Sequence, residues 1–315
     1  MSDALYLLTC DVRCVPLRLA AMAQNTLALT LGSPFLQLEI GVLRAMTILG
    51  VNVAVNSYES VVAKSLEWVK TCDSRILVFA NVHVVMEAVD SPTYRDCLNQ
   101  ADLVSPDGVP LVWALKLLGR TDASRVYGPD CTIAMLKSAA ERGVPVGFYG
   151  GSPEVLDALL QVVRRDYPAL QVPYAMSPPF RKMTAEEDNE VVREIIDSGI
   201  RVLFVGLGCP KQERWMIEHR ERVPAVMFGV GAAFDFIAGS KKQAPRWMMN
   251  SGLEWIFRFA TEPRRLAQRY LKNNPRFVLL FAWQLLTGRT RVSRDPRGEV
   301  VACLNIDVPH GGASD

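Results

Sequence analysis

The sequence is poor in the residues and spacings that announce a metal or redox centre. Its three histidines, His83, His219 and His310, stand far apart without ligand spacing. Among seven cysteines there is no C-x-x-C pair, and only Cys10 and Cys14 are close. A histidine metal site, a zinc site and a disulfide framework are therefore set aside, and a reducing cytosol is expected. Nowhere are there roughly 18 uninterrupted apolar residues, the length a spanning helix needs. The nearest approach, FVLLFAWQLL from Phe277 to Leu286, can lie on a bilayer but not cross it. The N-terminal region is broken by Asp11, Arg13, Arg18, Gln24 and Glu39 and lacks a signal-peptide pattern. No G-x-x-x-x-G-K-[ST] or G-x-G-x-x-G turn occurs, so ATPase and dinucleotide readings lose their usual support.

What is present is a large folded chain: 315 residues, half of them apolar, with a net charge of only +2. That balance argues against wholesale nucleic-acid binding, but the charge is unevenly spread. Between Lys241 and Arg294, three lysines and nine arginines face only Glu254 and Glu262. After Met46, short β-rich runs alternate with helix-sized segments: RILVFANVHVV, VPVGFYGGS, IRVLFVGLG and PAVMFGVGA all read as buried strands. This is the pattern of a Rossmann-like α/β fold, a mostly parallel sheet with helices on both faces. The division that follows is an extension over 1–46, a catalytic α/β domain over 47–245, a basic and apolar C-terminal helical segment over 246–291, and a disordered tail over 292–315.

Helix starts are legible at Ser152-Pro153, at Pro210 and at Thr184, the last followed by acids. The turns YGGSPE and GLGCPKQE place Gly150, Gly151, Gly206 and Gly208 where backbone N–H groups and helix dipoles can meet phosphate, which suggests a nucleotide-diphosphate site. Ordinary turn geometry explains the same glycines. Asp107 sits between a proline and a glycine in ADLVSPDGVPLVWALKLLG, pinned between two apolar elements. Locally, an Asx-turn and a reactive carboxylate are both open.

In the C-terminal segment Arg265, Arg269, Lys272 and Arg276 form one basic stripe if helical, and Asn274-Pro275 is expected to restart the helix. The second piece carries Phe277, Phe281 and Trp283. Basic, aromatic and short apolar stretches together suggest an anionic membrane surface. Two readings compete with it: an ordinary helix packed on the core with a solvated basic face, and, less favoured because stacking and polar groups are few, nucleic acid.

Taken in order, ILGVNV, ANVHVVMEA, ADLVSPDGVPLVWA, RVYGPD, GFYGGSPE, VLFVGLGCPKQERWM, GVGAAFDFIAGSKKQAPRWM and GLEWIFRFATEPRRLAQRY resemble the WecG/TagA/CpsF glycosyltransferases over about Thr47 to Leu286. The resemblance implies inverting transfer of a sugar from a UDP donor to a polyprenyl-diphosphate-linked saccharide in cell-surface polymer synthesis. It also implies a peripheral enzyme on the cytoplasmic face of the bacterial plasma membrane. It casts Asp107 as the base that takes the acceptor proton. Asn81 and Arg125 fall near donor or acceptor, or serve structure; Gln212 and Asp235 match positions implicated in nucleotide recognition, and Lys211 supports phosphate or a carboxylate. The chain has no D-x-D pair, so a metal-independent reaction without cofactor is expected. Arg258, Arg264 and Arg265 are then the candidates to meet charge on departing UDP. Many relatives carry Thr where this chain has Phe79, which keeps the donor sugar open: N-acetylmannosamine or its uronate is favoured, glucose is the rival. A non-catalytic nucleotide-sugar or lipid-binding module is the competing reading of a different class, and the apolar C-terminal stretch leaves a homo-oligomer open.

Overall fold

The computed structural model describes residues 45–287 and two further strands, 291–294 and 300–303. Chain order begins with β1 (Ala45–Ile48), β2 (Val51–Ala54), α1 (Tyr58–Thr71), β3 (Arg75–Ala80), α2 (Val82–Asp90), α3 (Pro92–Leu98), β4 (Leu103–Pro106), α4 (Val109–Leu117) and α5 (Gly128–Arg142). It continues with β5 (Val146–Gly150), α6 (Pro153–Asp166), β6 (Tyr174–Met176), α7 (Ala185–Asp197), β7 (Val202–Gly206), α8 (Lys211–Glu218), β8 (Val226–Gly229) and α9 (Ala233–Ile237). The C-terminal part is α10 (Arg246–Asn250), α11 (Glu254–Thr261), α12 (Pro263–Thr287), β9 (Arg291–Arg294) and β10 (Val300–Cys303).

Six strands form an all-parallel sheet in the order β4-β3-β8-β7-β5-β6. The near-continuous apolar runs of these strands follow from burial on both faces, since successive side chains point to opposite sides. On one side Leu77, Phe79, Phe148, Phe204 and Phe228 pack with α1, α5, α6 and α9. On the other, Ile76, Val78, Tyr149, Leu203, Val205 and Met227 pack with α2, α3, α4, α7 and α8. Register places Phe148, Phe204 and Phe228 side by side, with ring centroids 5.4 and 5.3 Å apart. The fold is Rossmann-like, as the alternation in the sequence predicts.

Local chemistry explains several boundaries. Ser152 caps α6 with Pro153 in its first turn, and Thr184 and Glu187 close a capping box on α7. RILVFANVHVV divides where its pattern alone could not say: Asn81 ends β3 by capping α2, accepting from the amides of His83 and Val84 at 3.0 and 3.3 Å.

Two expectations are corrected. Asn274-Pro275 does not restart a helix; α12 runs unbroken through Pro275. Pro275 deprives the carbonyl of Leu271 of its helical partner, but Leu271 is exposed and water can serve it. Packing holds the helix on either side, through buried Leu266 before it and Phe277, Phe281 and Gln284 after it. The tail assigned to 292–315 contains strands: β9 pairs antiparallel with β10, and β10 parallel with β1, extending the β1–β2 hairpin into a second sheet. The extension assigned to 1–46 lies, but for the start of β1, outside the described residues.

Candidate functional site

The site is built at the carboxyl edge of β3, β4 and β8, beside the long C-terminal helices. Where β4 ends, the amide of Asp107 donates to the Ala80 carbonyl at 2.8 Å, tying the Pro-Asp-Gly turn to the end of β3. Gly108 packs closely there: a Cβ would lie 3.2–3.3 Å from Cβ and Cα of Asn81, a tight contact. The Asp107 carboxylate accepts from the Gly128 amide at the start of α5, Oδ1 to N 2.8 Å. A cavity reaches its side chain, yet protein surrounds it closely enough that desolvation raises its pKa above the usual carboxylate value, outweighing Arg125 and the Gly128 amide.

Two cavities meet at this carboxylate. One, of about 770 Å³, opens over the strand ends and is lined by Phe79, Tyr127, Gly128, Gly208, Gln212, Gly229 to Ala233 and Phe236. The other, of about 660 Å³, lies between the starts of α2 and α4 and the C-terminal helices, lined by His83, Val109, Arg125, Glu254, Trp255, Tyr270, Asn273 and Asn274. Asn81, Asp107, Arg258 and Arg269 line both.

Electrostatics at the junction are held from the C-terminal side. Arg125 donates through Nε to the main-chain carbonyl of Asp107, through Nη2 to Glu254 at 2.6 Å and through Nη1 to the Met249 carbonyl at 3.4 Å. Its guanidinium lies over the Tyr127 ring, 4.3 Å from the centroid. Arg258 sits 3.9 Å from the other Glu254 oxygen and over the Phe236 ring. His83 is held neutral near pKa 4, first by burial and then by Arg269; Glu87, 3.6 Å from Nδ1, is too exposed to reverse this.

Some residues singled out from the sequence sit in the cavity walls and some do not. Asn81, Asp107, Arg125, Gly208, Gln212, Arg258 and Arg269 do. Gln212 spends its amide internally, accepting from the Gly208 amide at 3.1 Å and donating to buried Glu213 at 2.8 Å, so it shapes the turn. Gly150, Gly151 and Gly206 line neither cavity. Gly150 is where β5 and β7 touch: at φ 128° a Cβ would fall 2.6 Å from the Gly206 carbonyl. Lys211 is exposed at the start of α8, and Asp235 pairs with Lys241 at 3.3 Å; neither lines either cavity. Arg264 is exposed on α12 and lines neither cavity; the Arg265 side chain lies outside the described residues.

The expected membrane face is corrected. Phe277 and Phe281 are only 4% and 6% exposed and belong to the core, so they cannot meet a bilayer. Arg269 faces the cavities, while Arg276 and Lys272 both pair with Asp90 of α2, at 2.6 and 3.5 Å. This part of α12 is a helix packed on the core, the first of the two competing readings. Trp283 is exposed, in company the sequence did not suggest: Leu271, Val278, Leu279 and Leu286 share its outward side. Sequence reasoning also missed His83, Glu254, Tyr270 and Asn273 as cavity residues. The GLEW start of α11 was a signal for Glu254, but nothing local marks His83.

A sequence model described as the glycosyl transferase WecG/TagA/CpsF family matches residues 46–291. An N-acetylglucosaminyldiphosphoundecaprenol N-acetyl-beta-D-mannosaminyltransferase of Bacillus spizizenii is 32% identical to the chain over 203 residues, covering 64% of this chain and 76% of that protein.

Proposed function

The chain belongs to the WecG/TagA/CpsF glycosyltransferase family, and from that premise we propose that it transfers N-acetylmannosamine, or its uronate, from UDP to a polyprenyl-diphosphate-linked N-acetylglucosamine. The observation that carries this reading is the meeting of two cavities at one carboxylate. The cavity over the strand ends suits the UDP-sugar, because strand carboxyl ends with glycine turns and a helix N-terminus bring backbone N–H groups to phosphate. The cavity beside α11 and α12 suits the acceptor, because its walls belong to the helices that also carry the exposed apolar side chains.

Asp107 then stands between the two reactants. Its carboxylate takes the proton from the acceptor hydroxyl as that oxygen attacks the anomeric carbon. The bond from that carbon to the UDP oxygen breaks with its electron pair, and configuration inverts. Desolvation makes Asp107 a stronger base than an exposed aspartate. Arg258 and Arg269, in both walls, meet charge on the departing diphosphate in this reading, which needs no metal. Phe79 gives the donor cavity an apolar wall where a hydroxyl would discriminate among sugars, and on that account UDP-glucose is the donor to test against.

Among the described residues no helix is long and apolar enough to cross a membrane. The outward side of α12, with Leu271, Val278, Leu279, Trp283 and Leu286, is proposed to rest on the cytosolic leaflet and bring the lipid-linked acceptor to its cavity. The test is UDP release by the full chain on liposomes in EDTA. UDP-N-acetylmannosamine, its uronate and UDP-glucose are each paired with polyprenyl-diphosphate-linked N-acetylglucosamine or glucose. Acceptor-dependent release with an N-acetylmannosamine donor is expected. Release only with UDP-glucose would overturn the donor assignment, and release only after adding a divalent ion would overturn the metal-free reading.

A further inference from the structure

Glu254 does something the family resemblance did not assign to it. It is the first residue of α11, its side chain is nearly buried, and it reaches across the cavity to Arg125, Oε2 to Nη2 2.6 Å. Arg125 lies only 18 residues beyond Asp107 and already touches that residue's carbonyl. Its hydrogen bonds go to that carbonyl, to Met249 and to Glu254, and none goes to the Asp107 carboxylate. A half-buried guanidinium whose Nε already bonds the carbonyl of the same aspartate would ordinarily pair with its carboxylate. The guanidinium is held instead by a second carboxylate, brought in from the C-terminal segment. The same Glu254 faces Arg258, which lines both cavities.

We propose that Glu254 is a positioning residue: it holds the Arg125 guanidinium on the α11 side and off the Asp107 carboxylate, so that Asp107 can accept a proton only while α11 is seated over the site. The proposal rests on the reading of Asp107 as the base. It makes the C-terminal segment part of the base's electrostatic setting as well as a wall of the acceptor cavity. The titratable and charged groups around Asp107 on the surrounding elements are Arg125, Glu254 and Arg258, with Tyr58 of α1, Tyr127 before α5 and Cys131 within it, and His83 of α2 and Arg269 of α12 in the same cavity walls. Removing the Glu254 charge therefore removes a carboxylate that raises the Asp107 pKa and leaves Arg125 and Arg258, which favour its ionised form.

Two measurements on the full chain decide it. The first follows the carboxyl signal of Asp107 by NMR in protein labelled with 13C-aspartate, assigned with Asp107→Asn, and needs no turnover. In Glu254→Gln the Asp107 midpoint is expected to fall by a unit or more; in Glu254→Asp, which keeps the charge, it should stay nearer that of the unsubstituted protein. The second is the pH profile of kcat/KM on liposomes. Its acid limb should move down with that midpoint, and the plateau kcat should drop about tenfold or more, since a weaker base abstracts the proton less readily. UDP affinity should change less than twofold. An Asp107 midpoint unmoved in Glu254→Gln overturns the proposal. So does a parallel fall of kcat, UDP affinity and thermal midpoint with the acid limb in place, which is what loss of a merely structural contact produces. Turnover surviving in Asp107→Asn would instead sink the base reading itself and this proposal with it.

Discussion

The side-chain amide of Gln284, near the end of α12, donates to the main-chain carbonyl of Thr47 in β1 at 2.8 Å, and Gln284 is completely buried. Its oxygen also accepts from the Leu49 amide at 2.9 Å. Leu49 and Gly50 make the two-residue turn of the β1–β2 hairpin, both with positive φ, 49° and 86°. A side chain from the last long helix thus completes the hydrogen bonding of the first described hairpin. Replacing Gln284 by Ala strands one buried donor and one buried acceptor, at a cost of about 1–3 kcal/mol each. A loss of about 2–6 kcal/mol is expected in urea unfolding at constant slope. A loss below about 0.5 kcal/mol, the range of an inert surface change, would show that α12 is not seated on the hairpin.

The same contact bears on truncation. Ending the chain after Thr261 removes Gln284 together with buried Phe277 and Phe281. Such a protein is expected to unfold at distinctly lower temperature in the absence of any lipid. Loss of activity in it would therefore report on the fold before it reported on membrane docking. A calorimetric scan of the truncated chain in plain buffer checks this.

Asp107→Asn separates chemistry from stability. In the proposed role of base, Asp107 should account for a factor of about 10²–10⁴ in kcat, which the amide cannot supply. Its pKa is raised in the folded protein, so the folded state binds the proton more tightly than the unfolded chain does. That contribution to stability is present at low pH and is lost as pH rises through the folded pKa. At neutral pH the buried charge is therefore a cost, and the neutral amide should leave the thermal midpoint unchanged or higher. An inactive variant that is also much less stable would point to a structural role for the turn.

His83 makes a prediction of opposite sign. The folded protein holds its imidazole neutral down to about 4 against an ordinary 6.5, chiefly by burial and next by Arg269. As pH falls through 6.5 the unfolded chain takes up a proton that the folded protein refuses, so stability present above 6.5 is lost as pH approaches 4. At 1.36 kcal/mol per unit this is at most about 3 kcal/mol. His83→Gln should flatten the decline between pH 6.5 and 4 relative to the parent, as measured by urea unfolding at several pH values. Identical slopes would mean that His83 titrates normally in the folded protein.

How far the sequence carries the argument differs from element to element. β3, β5, β7 and β8 were legible because a strand buried on both faces must be apolar throughout, and the caps at Ser152 and Thr184 because their chemistry is local. Asp107 was legible as a turn residue, but its neighbours His83 and Glu254 come from helices that only tertiary packing brings to it. On α12 the misreading has a physical cause. The buried side carries two amides, Asn273 and Gln284, among Leu266, Phe277 and Phe281, while the exposed side is Leu271, Val278, Leu279, Trp283 and Leu286. Polarity thus points to the wrong face, because the amides are buried where they serve particular partners, Gln284 the hairpin and Asn273 the His83 ring.

The run of exposed large apolar side chains on the second half of α12, Val278, Leu279, Trp283 and Leu286, is costly in water, and a lipid surface would remove that cost. Leu279 and Trp283 are 70% and 59% exposed, so replacing them leaves the core untouched. Each large apolar side chain taken out of water contributes about 1.5–3 kcal/mol, and each 1.4 kcal/mol is about tenfold in an equilibrium. Leu279→Glu with Trp283→Glu is therefore expected to weaken binding to anionic liposomes by about 100-fold or more, with the thermal midpoint within a degree or two of the parent. UDP affinity should be unchanged, while turnover of a lipid-linked acceptor falls with vesicle binding and turnover of a short-chain, water-soluble acceptor persists. Should the parent sediment as a dimer that the double substitution dissociates, with vesicle binding intact, this face would be a contact between copies of the chain and the lipid assignment would fall.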